Sequence, residues 1–177
     1  SAMCTDIDGD DTVASMSSTI SGAPSTLTIS SGVISGTPVN ADVGTHTVTV
    51  TCTDTGGASV SDSYTITVTN TNDAPTISSN AVTAATEDSP YSYTAVASDV
   101  DADDTLTLSG TTIPTWMSFN ADTGALTGTP TNSEVGSHAV VITATDAAGA
   151  NVTDSFTVVV ANTNDAPTLA NAILDGS

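Results

Sequence analysis

The chain has no lysine and no arginine. Against 20 carboxylates in 177 residues this leaves a formal net charge of −20. Without basic side chains nothing can neutralise phosphate, which excludes nucleic acid as a partner and anionic membrane surfaces with it. Aromatic residues are only 3% of the total, and there are two cysteines. No apolar run is long enough for membrane insertion, and no basic segment precedes an apolar stretch, so no signal peptide is read. No nucleophile elbow, phosphate loop or pair of catalytic acids is recognisable, and no enzyme is expected. The negative charge has to be offset by hydration, salt or bound cations.

What is present is alternation. Apolar residues make up 38% of the chain, and they recur with period two in Thr47-Val48-Thr49-Val50-Thr51 and Tyr64-Thr65-Ile66-Thr67-Val68. These are β-strand patterns, and they set the chain apart from the disordered acidic sequences that its composition otherwise resembles. The hexapeptide Asn-Thr-Asn-Asp-Ala-Pro occurs at Asn70–Pro75 and again, 92 residues later, at Asn162–Pro167. At the same offset Gly36-Thr37-Pro38 falls on Gly128-Thr129-Pro130, and Thr51-Cys52-Thr53-Asp54 on Thr143-Ala144-Thr145-Asp146. At an offset of 93, Asp6-Ile7-Asp8 falls on Asp99-Val100-Asp101. The chain is therefore read as part of a tandem array of one domain type. Each unit has about 90 residues of short strands between Gly, Pro and Asp turns, which predicts an all-β fold of tandem Greek-key β-sandwiches.

Residues 1–73 form one repeat that lacks its first strand, residues 74–165 a complete repeat, and residues 166–177 the linker and first-strand remnant of a next one. In the complete repeat, strands are expected at Ala81–Thr86, Tyr91–Ser98, Thr105–Ser109, Trp116–Asn120, Ala125–Thr127, His138–Thr145 and Val152–Ala161. Asp122-Thr123-Gly124 makes a hairpin turn, and Tyr91, Tyr93, Trp116, Phe119 and Phe156 are assigned to the cores. Nothing before Cys4 corresponds to Ala81–Tyr93. The first repeat thus has room for a strand and segment 166–177 has no host, so a homo-oligomer formed by strand donation is one expected partner state.

Cys4 and Cys52 align with Ala97 and Ala144. Both positions change together between the copies, which favours a disulfide between neighbouring strands over two buried free thiols. A disulfide implies an oxidising, extracytoplasmic setting.

The carboxylates gather at strand ends. Asp99, Asp101, Asp103 and Asp104 follow one expected strand, Asp146 follows another, and the linker Asn70-Thr71-Asn72-Asp73 enters at the same pole. Such a collection of Asp and Asn oxygens without Cys or His suits a hard cation, Ca²⁺ rather than Mg²⁺. The alternative is that Asp residues cap turns and hydrate the surface, and this is the reading for Asp62, Asp122 and Asp154. An EF-hand is excluded, because Asp104 and Gly110 stand where its loop needs Gly and Glu. His46 and His138 are equivalent positions and are read as structural. Asn151-Val152-Thr153 is a bare glycosylation sequon.

Glu87-Asp88-Ser89-Pro90, Asp99-Val100-Asp101, Ala144-Thr145-Asp146 and Asn162-Thr163-Asn164-Asp165-Ala166-Pro167 together resemble the calcium framework of cadherins. The stretch Pro114–Phe119 through Thr123–Pro130 is similar to the dystroglycan-type cadherin-like domains of bacterial surface and secreted proteins. The resemblance implies a cadherin/immunoglobulin-like fold with Ca²⁺ between successive domains. Carried over by position, an inter-repeat site uses Asp42, Asn70, Asn72 and Asp73 with Asp99, Asp101 and Asp146. Glu87 and Glu134 serve the far end of the second repeat with Asn162, Asn164 and Asp165, and Asp6, Asp8 and Asp54 face a preceding linker. Asn70 stands where cadherin linkers usually carry Asp, which lowers the charge of the central site. The function implied is a calcium-stiffened spacer and adhesion segment of a bacterial extracellular or cell-surface protein, with neighbouring repeats as partners. The alternative is a calcium-dependent module for polysaccharide or self-association.

Overall fold

The computed structural model describes residues 4–5, 13–21, 26–30, 33–101 and 104–168. Asp6, Asp8 and Asp103, and the tail from residue 169, lie outside the described residues. The protein is all-β, with no α-helix among the described residues. It divides into two units, Ser1–Asn72 and Asp73–Ser177.

The first unit is built on three antiparallel strands, Val13–Ser21 (β1), Gly44–Asp54 (β4) and Ser59–Val68 (β5), in the order β1-β4-β5. A hairpin of Thr28–Ser30 (β2) and Val33–Ser35 (β3) accompanies them. The period-two pattern of β4 turns Val48 and Val50 inward, and both are buried. A disulfide joins Cys4 to Cys52 with the Cα atoms 6.0 Å apart. Cys52 lies on β4, between Met16 of β1 and Val60 of β5. Cys4, however, belongs to no strand, so the bond does not link neighbouring strands as expected. Its counterpart Ala97 is in a strand only because the segment at Thr76–Ile77 pairs with it.

The second unit has two facing sheets. One has the order β10-β13-β14-β7, made of Thr107–Thr112 (β10), Gly136–Thr145 (β13), Asn151–Ala161 (β14) and Ala84–Thr86 (β7). The other has the order β11-β12-β8, made of Met117–Asn120 (β11), Ala125–Gly128 (β12) and Tyr91–Thr94 (β8). Thr76–Ile77 (β6) pairs with Ala97–Ser98 (β9). β10 neighbours β13 and β12 neighbours β8, so the chain crosses between layers in the manner of a Greek key.

Three expected strands take different limits. The strand expected at Ala81–Thr86 shortens to β7, which runs parallel to β14, and the unexpected β6 ahead of it pairs antiparallel with β9. The residues between them change sheets, and the Tyr91 hydroxyl secures the crossing by donating to the Val82 carbonyl at 2.7 Å. Tyr91–Ser98 divides into β8 and β9 because the chain changes partner there: Ala95 N–H donates to Gly124 O and Ser78 N–H donates to Val96 O. The strand expected at Thr105–Ser109 starts later and runs on to Thr112 through a bulge after Gly110. The remaining strands match their expected places within two residues.

Tyr91, Tyr93, Met117, Leu126, Val140, Ile142 and Val158 make the core. Trp116, Phe119 and Phe156 pack against it half-buried. Tyr91 meets Trp116 edge-on at 5.8 Å, and Tyr93 meets Phe156 edge-on at 5.4 Å, the favoured arrangement for aromatic pairs. Asp122-Thr123-Gly124 closes the β11-β12 hairpin, with Gly124 at φ 70°. A Cβ there would lie 2.2 Å from the Ala95 carbonyl oxygen, so the turn requires glycine. Asp122 lies in that turn as expected. Asp62 and Asp154 do not cap turns but lie within β5 and β14; Asp62 is exposed, whereas Asp154 is half-buried on the face of Phe156 and Val158 and accepts from the Tyr93 hydroxyl at 3.5 Å.

Candidate metal centre

Three loops of the second unit bring carboxylates to one end of its sheets. Asp99 follows β9, Asp146 follows β13, and Asp104 precedes β10. Each is oriented by main-chain amides. Asp146 Oδ1 accepts from Ala150 N–H at 2.7 Å and closes the turn between β13 and β14. Asp104 Oδ1 accepts from Thr105 N–H at 2.7 Å and from Ala147 N–H at 3.2 Å, tying its loop to that turn. Asp99 Oδ1 accepts from Asp101 N–H at 2.9 Å, and Asp99 Oδ2 is buried with no hydrogen-bond partner.

One oxygen from each of Asp99, Asp104 and Asp146 lies within 4.8 Å of the other two. Calcium–oxygen distances run about 2.3–2.6 Å, so one ion can reach all three. The donors are hard carboxylate oxygens, as Ca²⁺ prefers. Three carboxylates held together repel strongly unless a cation intervenes, and the chain has no lysine or arginine to supply one.

Asp101 is 7% exposed. Its Oδ2 accepts from Asp73 N–H at 2.8 Å, anchoring the end of the linker to this pole. Asp99, Asp101, Asp146 and Asp73 are thus gathered here, and Asp104 joins them although the sequence reading left it out of the ligand set. The D-x-D spacing draws attention to Asp99 and Asp101, whereas Asp104 reaches the site through the loop geometry that bonds it to Ala147. Its place in the acidic run was the available signal.

The other expected ligands are engaged locally. Glu87 is 1% exposed. Its Oε2 accepts from Thr163 N–H at 3.0 Å, while Oε1 is buried without a partner. Glu134 Oε2 accepts from the amide and hydroxyl of Thr131, and Oε1 from the Ser133 hydroxyl, which closes the 3-10 turn Asn132–Glu134. The Thr131 hydroxyl, then its amide, hold the Glu134 carboxyl below the ordinary glutamate range. Asp165 accepts from the Asn132 side-chain amide. The side-chain amides of Asn162 and Asn164 donate to the carbonyls of Thr163 and Asp165. Among the described residues Glu87, Glu134 and Asp165 do not converge as the triad does.

In the first unit Asp42 is buried and accepts from Val39 N–H at 2.8 Å and from the Thr26 hydroxyl. It caps the 3-10 turn Asn40–Asp42 as Glu134 caps its own. Asp54 Oδ1 accepts from Ala58 N–H at 2.8 Å, as its counterpart Asp146 does from Ala150. Asn70 and Asn72 are exposed. The two histidines hold equivalent positions: His46 Nε2 donates to Asp42 O at 2.8 Å, and His138 Nε2 to Glu134 O at 2.6 Å.

Fold and strand-end carboxylates together define a cadherin-like and immunoglobulin-like β-sandwich repeat. The family model described as "Putative Ig domain" matches residues 3–69 and again 74–161, and the chain belongs to that family. No curated protein matches it. Among solved structures, human mucin-like protocadherin domains EC1-2 are similar with a TM-score of 0.59 and 17% identity, covering 84% of this chain and 85% of that one. Protocadherin Gamma B2 domains 1-5 are similar with a TM-score of 0.57 and 17% identity, covering 85% of this chain and 34% of that one. An endo-fucoidan hydrolase from glycoside hydrolase family 107 shares 25% identity over 84% of this chain, but the chain spans only 24% of its length and the TM-score is 0.45.

Proposed function

We propose that this chain is a calcium-stiffened repeat segment of a bacterial extracellular or cell-surface protein, acting as a spacer and in adhesion. The observation that carries the reading is that one carboxylate oxygen from each of Asp99, Asp104 and Asp146 lies within 4.8 Å of the other two; Asp99 Oδ2 is in addition buried without a hydrogen-bond partner. A linker bound through such a site exchanges a flexible joint for a stiff one, which suits an array that projects a distal domain. The Cys4–Cys52 disulfide supports an oxidising, extracytoplasmic location. No catalytic role is proposed. Polysaccharide binding is the weaker reading, because sugar platforms use several exposed aromatics, whereas Trp116 is packed between Tyr91 and His138 and Tyr64 alone of the aromatics is exposed.

The test is calorimetric titration of Ca²⁺ into the chain and into the variants Asp104→Asn and Asp146→Asn. Both substitutions keep an oxygen for the main-chain amides and remove one ligand charge. Each is expected to weaken calcium on the order of tenfold or more, since affinity follows ligand charge. Calcium binding of unchanged strength in both variants, or no binding by the parent chain, refutes the site.

A further inference from the structure

We propose that the outer face of the first unit's sheet binds the surface of ice through a lattice of threonine and serine hydroxyls. β4 carries threonine at every second position from Thr45 to Thr53. In register beside it, β1 offers Ser15, Ser17 and Thr19, and β5 offers serine or threonine at every second position from Ser59 to Thr67. The β1 and β5 members are exposed, and Thr49, Thr51 and Thr53 are half-buried between them. The other alternation turns Val48 and Val50 inward and carries the carboxylates of these strands, Asp54 on β4 and Asp62 on β5. In a chain of net charge −20, no position of this outer array is charged.

Solvation of a strand face does not require this pattern, and the second unit shows as much. At the offset of 92, Thr47 and Thr49 become Ala139 and Val141 of β13, while Thr51 and Thr53 remain as Thr143 and Thr145. The equivalent strand thus folds with alkyl groups opposite its buried Val140 and Ile142, so the fold does not demand the unbroken hydroxyl column of β4. The hydroxyls are also held in place. Thr49 Oγ1 and Ser63 Oγ are hydrogen-bonded at 2.9 Å, and Thr51 Oγ1 and Ser61 Oγ at 2.8 Å. Less rotamer freedom is then left to lose on binding.

Antiparallel pairing sets the spacing. Alternate residues along a strand stand about 6.8 Å apart and neighbouring strands about 4.8 Å apart, close to the two oxygen repeats on a prism face of hexagonal ice. Each hydroxyl both donates and accepts, as each water in ice does. The choice of ligand follows from charge. Ice excludes ions from its lattice, so an uncharged hydroxyl face is the part of this molecule that it accepts. A cationic partner is drawn instead to the carboxylates elsewhere, and a sugar platform needs aromatics, which this face lacks. Sheet twist limits the match to a few rows, so slower crystal growth is expected rather than a large depression of the freezing point.

Ice recrystallisation and adsorption to a single ice crystal test this with the whole chain. EDTA is present throughout, so the outcome is independent of calcium. Ice grains are expected to coarsen more slowly with the parent chain than with serum albumin at equal concentration. Ser61→Asp and Thr65→Asp put a charge on the exposed column of β5 and are expected to restore the albumin rate. Thr153→Asp, on the outer face of the second unit, is expected to keep the parent rate. All three positions are exposed, and either β5 variant that keeps the lower melting transition decides the matter. Parent grains that coarsen at the albumin rate overturn the proposal, as does undiminished activity of a folded β5 variant or equal loss in Thr153→Asp. Retention on microcrystalline cellulose, or a dimer in sedimentation, without any effect on ice also overturns it, because the face then serves a glycan or a second copy.

Discussion

Reduction of the Cys4–Cys52 bond is expected to unfold one repeat and spare the other. The bond spans a sequence separation of 48 residues. Closing a loop of that length removes about 14 cal/mol/K of entropy from the unfolded chain, which is about 4 kcal/mol near room temperature in the chain-entropy model. The first repeat has little else to draw on. Its buried hydrophobics among the described residues are Val48 and Val50, against ten in the second repeat. For a domain of this size each kcal/mol moves the melting temperature by about 4–8 °C, so losing the bond should lower the first transition by about 15–30 °C. The assay is differential scanning calorimetry of the parent chain with and without reductant, and of Cys4→Ser/Cys52→Ser. Two transitions are expected, the lower one collapsing toward room temperature and the upper one unmoved. A lower transition that shifts by less than about 5 °C, or an upper transition that moves with it, refutes the assignment of the first repeat's stability to this bond.

The second repeat offers three independent checks. Leu126→Ala removes a fully buried side chain and should cost about 2–5 kcal/mol, read as a lower urea midpoint of the upper transition alone. Gly124→Ala places a Cβ against the Ala95 carbonyl at a positive φ and should cost at least about 2 kcal/mol by the same measurement. Burial, and then the neighbouring Tyr93, push the Tyr91 phenol up to about 12, and burial raises Tyr93 as well. A phenol whose folded pKa is raised favours the fold fully below its unfolded pKa near 10. That contribution is lost as pH climbs through about 12, so alkaline unfolding of the second repeat and a late phenolate absorbance step should coincide. Tyr91→Phe should shrink the late step to the part owed to Tyr93.

Sequence repetition made the architecture legible where the chain repeats itself. Gly124 marks its hairpin because only one residue type fits the turn, and the paired change at Cys4 and Cys52 marks a bond. The two-residue strand β6 was not legible, since Thr76–Ile77 carries too short a pattern, and the crossing from it to β7 is held by the Tyr91 hydroxyl bonded to Val82 O, nine residues away. Asp104 was missed for a similar reason. Its part in the acidic cluster depends on a bond to Ala147, 43 residues away, and no local spacing encodes that. Asp62 and Asp154 read as turn residues by type, yet the alternation of β5 and β14 carries them through the middle of strands.

The carboxylates of Asp54, Asp104, Asp146 and Glu134 are all answered by main-chain amides. A fold that settles its negative charge in this way leaves no side-chain amine anywhere on its surface. Proteases that cut after lysine or arginine find no cleavage point along all 177 residues, and acylating or carbonyl reagents find no lysine to modify. For a molecule exposed to secreted hydrolases and reactive sugars, that chemical silence would act as a form of durability separate from thermal stability.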